Sequence, residues 1–318
     1  MLEKLYEAGL KHLQSAHSQT FQEEWQGHEY AYRVVEPEFG DCKRTLLVLG
    51  GALRPLKPWP RLESNLPAGT RVVFLELPGL WDSRAVPSPF TWNLLVGAAV
   101  RTLDVLGAAT CDVLALSASA PLGYRLVRDH GDRVSRLVMV GALSCVTEEV
   151  REVLERMSAC LTHDRRLESD RDTRKAFTSA YSDFFLLSRK STNRAAVTLS
   201  ATIMRKLFTE VPVEKFRKCA QFYRDLFLAN SEQIIPQGDT GGTPMLLIYG
   251  ELDGVAPPEH APIIARNSPN CQVAVMKGVG HNLQVESAKD FLDLLTRFLT
   301  DVPLNELPYC SLTSNLRQ

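Results

Sequence analysis

The chain has 318 residues, 45% of them hydrophobic and 23% charged, with a formal net charge of −1 at neutral pH. This excludes a disordered chain and argues against nucleic acid or an anionic membrane as a partner, because there is neither a low-hydrophobicity, high-charge signature nor a basic surplus. The seven cysteines include no C-x-x-C pair, and their odd number fits a reducing compartment better than a disulfide framework.

The N-terminal MLEKLYEAGLKHLQ alternates charged and apolar residues at helical spacing and lacks the uninterrupted apolar stretch of a signal peptide. No run approaches the ~18 apolar residues that would span a bilayer, so a cytoplasmic location is expected. TLLVLGG, Thr45–Gly51, is a continuous apolar run closed by glycines, as a strand buried on both faces requires. RVVFLELPG, Arg71–Gly79, repeats that design and ends in a Pro-Gly turn. Trp92–Gly107 carries apolar residues at helical spacing and a closing glycine. CDVLALS, Cys111–Ser117, predicts a third strand followed by the helical PLGYRLVRDH, and RLVMVGAL, Arg136–Leu143, a fourth.

The alternation then stops. Residues 145–239 show no buried-strand signal and read as amphipathic helices, for example VREVLERMSACL and AVTLSATIMRKLF. After the loop signal QGDTGGTP, MLLIYG (Met245–Gly250) and CQVAVMKG (Cys271–Gly278) resume as strands around the helical PEHAPIIARN. Ser287–Leu299 predicts a last amphipathic helix. The chain thus divides into residues 1–144 and 240–300 as two parts of one core, 145–239 as a helical cap, and 301–318 as a C-terminal tail. Strand–helix alternation predicts an α/β fold with a mainly parallel central sheet flanked by helices. Ligands of such sheets bind beyond the carboxyl ends of the strands, so the cap would roof the site.

Three residues at strand ends carry the chemistry. Ser117 stands between an apolar strand and a helix, on a sharp turn that exposes a hydroxyl and points a helix N-terminus at developing charge. Such a turn needs small residues two positions away on each side, and Ala115 and Ser119 meet that need. Centred on Ser119, the turn would have to accept Pro121, a poorer fit. A serine needs a base, and His281 in GVGHNLQVES lies in a glycine-flanked loop after a strand. The base needs an orienting acid, which Asp253 supplies after Met245–Gly250.

The order Ser, Asp, His, each after a separate strand, resembles the α/β-hydrolase superfamily, in its serine-nucleophile branch with a helical cap, from about Thr45 to Leu299. The nucleophile elbow, Gly-x-Ser-x-Gly-Gly in that family, corresponds to Ala115–Ala120. The acid loop is matched by Gly250, Asp253 and Pro257, the Gly-His ending by Gly280 and His281, and the family's Asp-x-x-Gly turn by Glu76–Gly79. Two departures stand out: both elbow glycines are replaced, and Leu49-Gly50-Gly51 stands where many relatives carry His-Gly.

The resemblance implies an oxyanion hole of backbone N–H groups from Gly51 or Ala52 and from Ala118. It also implies an esterase- or thioesterase-like hydrolase working through an acyl-enzyme. No metal and no organic cofactor is expected. The expected partner is a small-molecule or carrier-bound acyl substrate, and the long cap points to one that is moderately large and mainly apolar. Acyl transfer, cyclisation or cofactor-free lyase chemistry fits the same residues. A non-catalytic binding protein is the alternative that the altered elbow favours.

Overall fold

The computed structural model describes residues 17–51, 56, 59–83, 91–185, 194–228 and 234–314. The expected N-terminal helix and Ala52 lie outside them. Nine strands form one sheet: β1 (Ser18–Trp25), β2 (His28–Val35), β3 (Arg44–Leu49), β4 (Thr70–Glu76), β5 (Cys111–Leu116), β6 (Val134–Val140), β7 (Met245–Gly250), β8 (Cys271–Met276) and β9 (Cys310–Ser314). Their spatial order is β1-β2-β4-β3-β5-β6-β7-β8-β9. From β4 through β3, β5, β6 and β7 to β8 every pairing is parallel. An antiparallel hairpin, β1–β2, borders one side and antiparallel β9 the other.

The period-2 alternation of side chains divides each central strand between two cores. Leu47, Val73, Val113, Leu137 and Leu247 face α2 (Trp92–Val105) and α3 (Ala120–Asp129), where Leu95, Ala98, Leu122 and Leu126 are buried. Leu46, Val72, Leu114, Val138 and Leu246 face the other way. They meet Leu62 of α1 (Pro60–Glu63) and the Phe291, Leu295 and Phe298 face of the C-terminal helix Ala288–Leu299. Burial on both faces is why these strands read as unbroken apolar runs.

The flanking strands were not legible that way. β1 alternates exposed and half-buried residues, and β2 buries Arg33, whose guanidinium pairs with Glu63 and lies 4.3 Å above the Phe74 ring. Trp25 packs where a Cβ at Gly97 of α2 would stand.

Between β6 and β7 lie α4 (Glu148–His163), α5 (Arg166–Ser169), α6 (Arg171–Phe185), α7 (Arg194–Glu210) and α8 (Val213–Leu228). The Thr147 hydroxyl caps α4 by accepting from the Val150 N–H, with Glu148 and Glu149 in the first turn where the helix dipole favours them. α4 packs on α8 and α6 on α7. Short α9 (Ala261–Ala265) and α10 (Leu283–Glu286) precede the C-terminal helix, α11.

Candidate active site

The carboxyl ends of β5, β7 and β8 bring Ser117, Asp253 and His281 together. Ser117 takes φ +48°, a left-handed conformation that costs a non-glycine residue about 1–2 kcal/mol. It opens a 3₁₀ turn, Ser117–Ser119, that runs into α3. The two departures from glycine at this turn are absorbed by neighbours. Gly123 of α3 concedes the space beside Ala115, since a Cβ there would come 2.7 Å from the alanine methyl. Ser119 is buried, and its hydroxyl donates to the Gly50 carbonyl, tying the elbow to the loop after β3.

The Ser117 hydroxyl donates to His281 Nε2 at 2.9 Å. His281 Nδ1 donates to Asp253 Oδ2 at 2.8 Å. The backbone N–H groups of Val255 and Ala256 donate to Asp253 Oδ1, both at 2.9 Å. Asp253 therefore arrives oriented and hydrogen-bonded on both oxygens, which keeps a buried carboxylate tolerable.

Burial opposes a charged imidazole at His281, but the charge and hydrogen bond of Asp253, helped by Glu286, outweigh it and raise its pKa above the usual histidine value. The acid and base loops are stitched together: Glu251 N–H donates to the Met276 carbonyl at 2.8 Å and Leu252 N–H to the Val279 carbonyl at 2.9 Å. Gly250 makes this approach possible, because a Cβ on it would strike the Val279 and Gly280 carbonyls. Glu251 is turned outward and accepts the Gly278 N–H at 2.8 Å.

Of the expected oxyanion residues, Gly51 lies against the elbow, where a Cβ would come 3.6 Å from the Leu116 carbonyl oxygen and 3.8 Å from Ser117 Cβ. Ala118 follows Ser117 and lines the cavity in front of it. That cavity, about 70 Å³, is floored by Ser117, Ala118, Pro121, Leu143 and Val255 and roofed by the helical insertion. No charged side chain lines it among the described residues.

The architecture matches known proteins. Residues 47–294 match the model of the alpha/beta hydrolase family. The chain belongs to that family.

Solved structures similar to this alpha/beta hydrolase include a membrane phospholipase A described as a bacterial virulence factor. It is 18% identical, with TM-score 0.71 over 95% of this chain and 91% of the other. MenH from S. aureus is 16% identical, with TM-score 0.69 over 85% and 98% of the two chains. The enol-lactonase from Burkholderia xenovorans LB400 is 20% identical, with TM-score 0.68 over 88% and 100%. At such identities the likeness speaks for the fold alone. No curated protein matches the sequence. No helix among the described residues is long and apolar enough to cross a membrane.

Several supporting residues escaped the sequence reading. Glu286, almost wholly buried, accepts the Gly280 N–H at 2.8 Å through one oxygen and the Asn282 N–H at 3.2 Å through the other, clamping the backbone on both sides of His281. A glutamate reaching back to the N–H groups just before a short helix was the available signal. Gly141, at φ +58°, leaves room for the imidazole: a Cβ there would come 2.9 Å from His281 Cε1. His260, buried, accepts the Ser144 N–H at Nδ1 (3.2 Å) and so ties the end of β6 to the acid loop; burial lowers its pKa. Glu76, in the turn that resembles the family's Asp-x-x-Gly, accepts from the N–H groups of Asp82 and Ser83, and burial raises its pKa to about 7.

Proposed function

We propose that this alpha/beta hydrolase is a serine hydrolase of acyl esters or thioesters, with Ser117 as nucleophile, His281 as general base and acid, and Asp253 as the group that orients the imidazole. The observation that carries this reading is the unbroken hydrogen-bond relay from Asp253 through His281 to Ser117, ending at an apolar cavity.

Ser117 Oγ attacks the substrate carbonyl while His281 Nε2 takes its proton. The Nδ1–H bond to Asp253 fixes the tautomer that makes Nε2 the acceptor and stabilises the imidazolium. Collapse of the tetrahedral intermediate passes that proton to the leaving alcohol or thiol and leaves an acyl ester on Ser117. Water, deprotonated by His281, then releases the acid. Backbone N–H groups at Ala118 and beside Gly51 serve the oxyanion, a contribution worth about 10²–10³ in rate for a single donor. Such donors do not depend on side-chain identity, so the missing His-Gly need not impair the hole. The fit of Ala115 against Gly123 and the Ser119–Gly50 bond support a working elbow in place of the glycine pattern.

The test is covalent labelling with a small fluorophosphonate, read by intact mass and peptide mapping. A single adduct on Ser117, lost in Ser117→Ala on folded protein, is the expected result. Labelling of Ser119, or none on folded wild-type protein, overturns the assignment.

A further inference from the structure

Hydrocarbon makes up most of the wall of the cavity in front of Ser117. Apart from Ser117, only Cys219 and Tyr223 among its described side chains can donate a hydrogen bond. The Cys219 thiol is a weak donor with the Trp81 backbone beside it. Tyr223 is 3% exposed, and its hydroxyl has no hydrogen-bond partner among the described residues. A phenol left dry and unpaired destabilises the free protein, because the water it gave up has not been replaced. Burial also raises its pKa, so the group keeps its proton and remains a donor.

The fold decides which part of a substrate this donor meets. Tyr223 hangs from α8, its ring edge-on to Phe222 and stacked with Phe227, at centroid distances of 5.3 and 6.1 Å. Lys218, little more than one turn earlier, latches α8 to the turn after β4 by donating to the Trp81 carbonyl at 2.5 Å and to the Ser83 carbonyl. The Tyr223 hydroxyl reaches the elbow beside Ser119, whose own proton goes to the Gly50 carbonyl. Ser119 follows Ala118 and Gly50 precedes Gly51, the two residues expected to serve the oxyanion. In the sheet, β3 and β4 lie on one side of β5, and β6 and β7 on the other. Gly51 and the α8 latch belong to the first side. His281 lies on the second, against Gly141 after β6 and Asp253 after β7. The imidazole serves the leaving group, so Tyr223 stands on the side of the acyl oxygen.

We propose that the Tyr223 hydroxyl is a catalytic donor to the acyl oxygen, supplied by the helical insertion alongside the backbone N–H groups at Ala118 and Gly51. The proposal rests on the acyl-enzyme reading and deepens it. As Ser117 Oγ bonds to the carbonyl carbon, the π pair moves onto the oxygen and the hydrogen bond from Tyr223 strengthens. When the intermediate collapses, that pair returns to the C=O bond, and Tyr223 has kept its proton throughout. A contact that strengthens only in the transition state acts on kcat more than on KM. The triad and the backbone donors stand on core loops, so the reaction itself does not depend on the insertion; its rate does.

The experiment is Tyr223→Phe, which removes one oxygen atom, with readouts that move in opposite directions. On p-nitrophenyl acetate, kcat should fall about 10²-fold with KM changed by less than about threefold. Inhibition by a trifluoromethyl ketone, which adds to Ser117 as a hemiketal oxyanion, should weaken by a similar factor. The thermal midpoint should rise by about 2 °C, because an unpaired buried hydroxyl has gone.

Unchanged kcat or unchanged ketone inhibition, in a variant that still labels on Ser117 with fluorophosphonate, overturns the role of Tyr223 and leaves the acyl-enzyme standing. A lost activity that comes with a lowered midpoint also overturns it, since the hydroxyl then holds the roof in place. Absence of both labelling and ester turnover in the wild type overturns the acyl-enzyme reading, and the role of Tyr223 with it.

Discussion

Two polar clusters lie at opposite ends of β5, each around a buried carboxylate, and they are built on opposite plans. At the amino end, Asp112 lies between Arg44 and Arg136, 3.7 Å from each, and Arg136 also pairs with Asp301. Burial raises the Asp112 carboxyl above its usual value, and the two arginines offset only part of that rise. Each charge there has an opposite charge beside it, so the cluster is closed. At the carboxyl end, one carboxylate is passed through a neutral ring to a hydroxyl, and the chain ends facing a cavity. The first arrangement holds strands together. The second holds a hydrogen-bonded relay with one free terminus, the arrangement the proposed mechanism uses to move a proton.

Substitutions at matched positions separate the two plans. Asp253→Asn should lower kcat by about 10⁴-fold, the size expected when an imidazole loses the acid that sets its tautomer, measured on a p-nitrophenyl ester. Asp112→Asn should instead cost about 1–3 kcal/mol of stability, read by denaturant unfolding, with kcat/KM unchanged. Comparable losses of activity in both variants would erase the distinction.

Gly141→Ala comes next in size. Its methyl would press on His281 from a backbone conformation that costs alanine about 1–2 kcal/mol, and kcat should fall by about ten- to a hundredfold as the ring is displaced.

Glu286→Gln tests the relay electrostatically. In the proposed mechanism the neutral imidazole is the active base, so kcat/KM in the wild type should rise with pH through a value above the usual histidine pKa. Removing the Glu286 charge should move that acid limb to lower pH and cost a few-fold in kcat, as a pH–rate profile would show. An unmoved limb would mean that Glu286 acts only on the backbone.

The smallest effect is expected at Glu76. Its pKa is raised on folding, so its contribution to stability is complete below about pH 4.5 and is lost as pH rises through about 7. Thermal unfolding of Glu76→Gln at several pH values should show a flatter profile across that window than the wild type.

The sequence made the centre of the molecule readable and its borders obscure, for one physical reason. β3 to β8 are covered on both faces and so appear as apolar runs, whereas β1 and β9 sit at the sheet's edges and β2 carries an internal ion pair that breaks the pattern. The end of the chain, which offered little periodicity, supplies β9 through its pairing with β8.

Ser117, Asp253 and His281 could be picked out because each follows a strand, and a parallel sheet gathers such positions at one edge. Their supports could not be found in the same way. Gly123 matters because of Ala115, Gly141 because of His281, and Ser119 because of the Gly50 carbonyl, and each of those pairs is a contact between separate segments of the chain. The replaced elbow glycines are accommodated by those contacts, which only the folded chain displays.

The helical insertion departs from the end of β6 and returns at the start of β7, and these strands are hydrogen-bonded neighbours. Closing a longer or shorter excursion between such close points changes the entropy only slowly, by about 0.6 kcal/mol per doubling of length. The roof could therefore be replaced wholesale over generations while the loops that hold Ser117, Asp253 and His281 stayed as they are. Substrate range and reaction chemistry would then be inherited as separate traits on one chain, with the first free to drift where the second is held fixed.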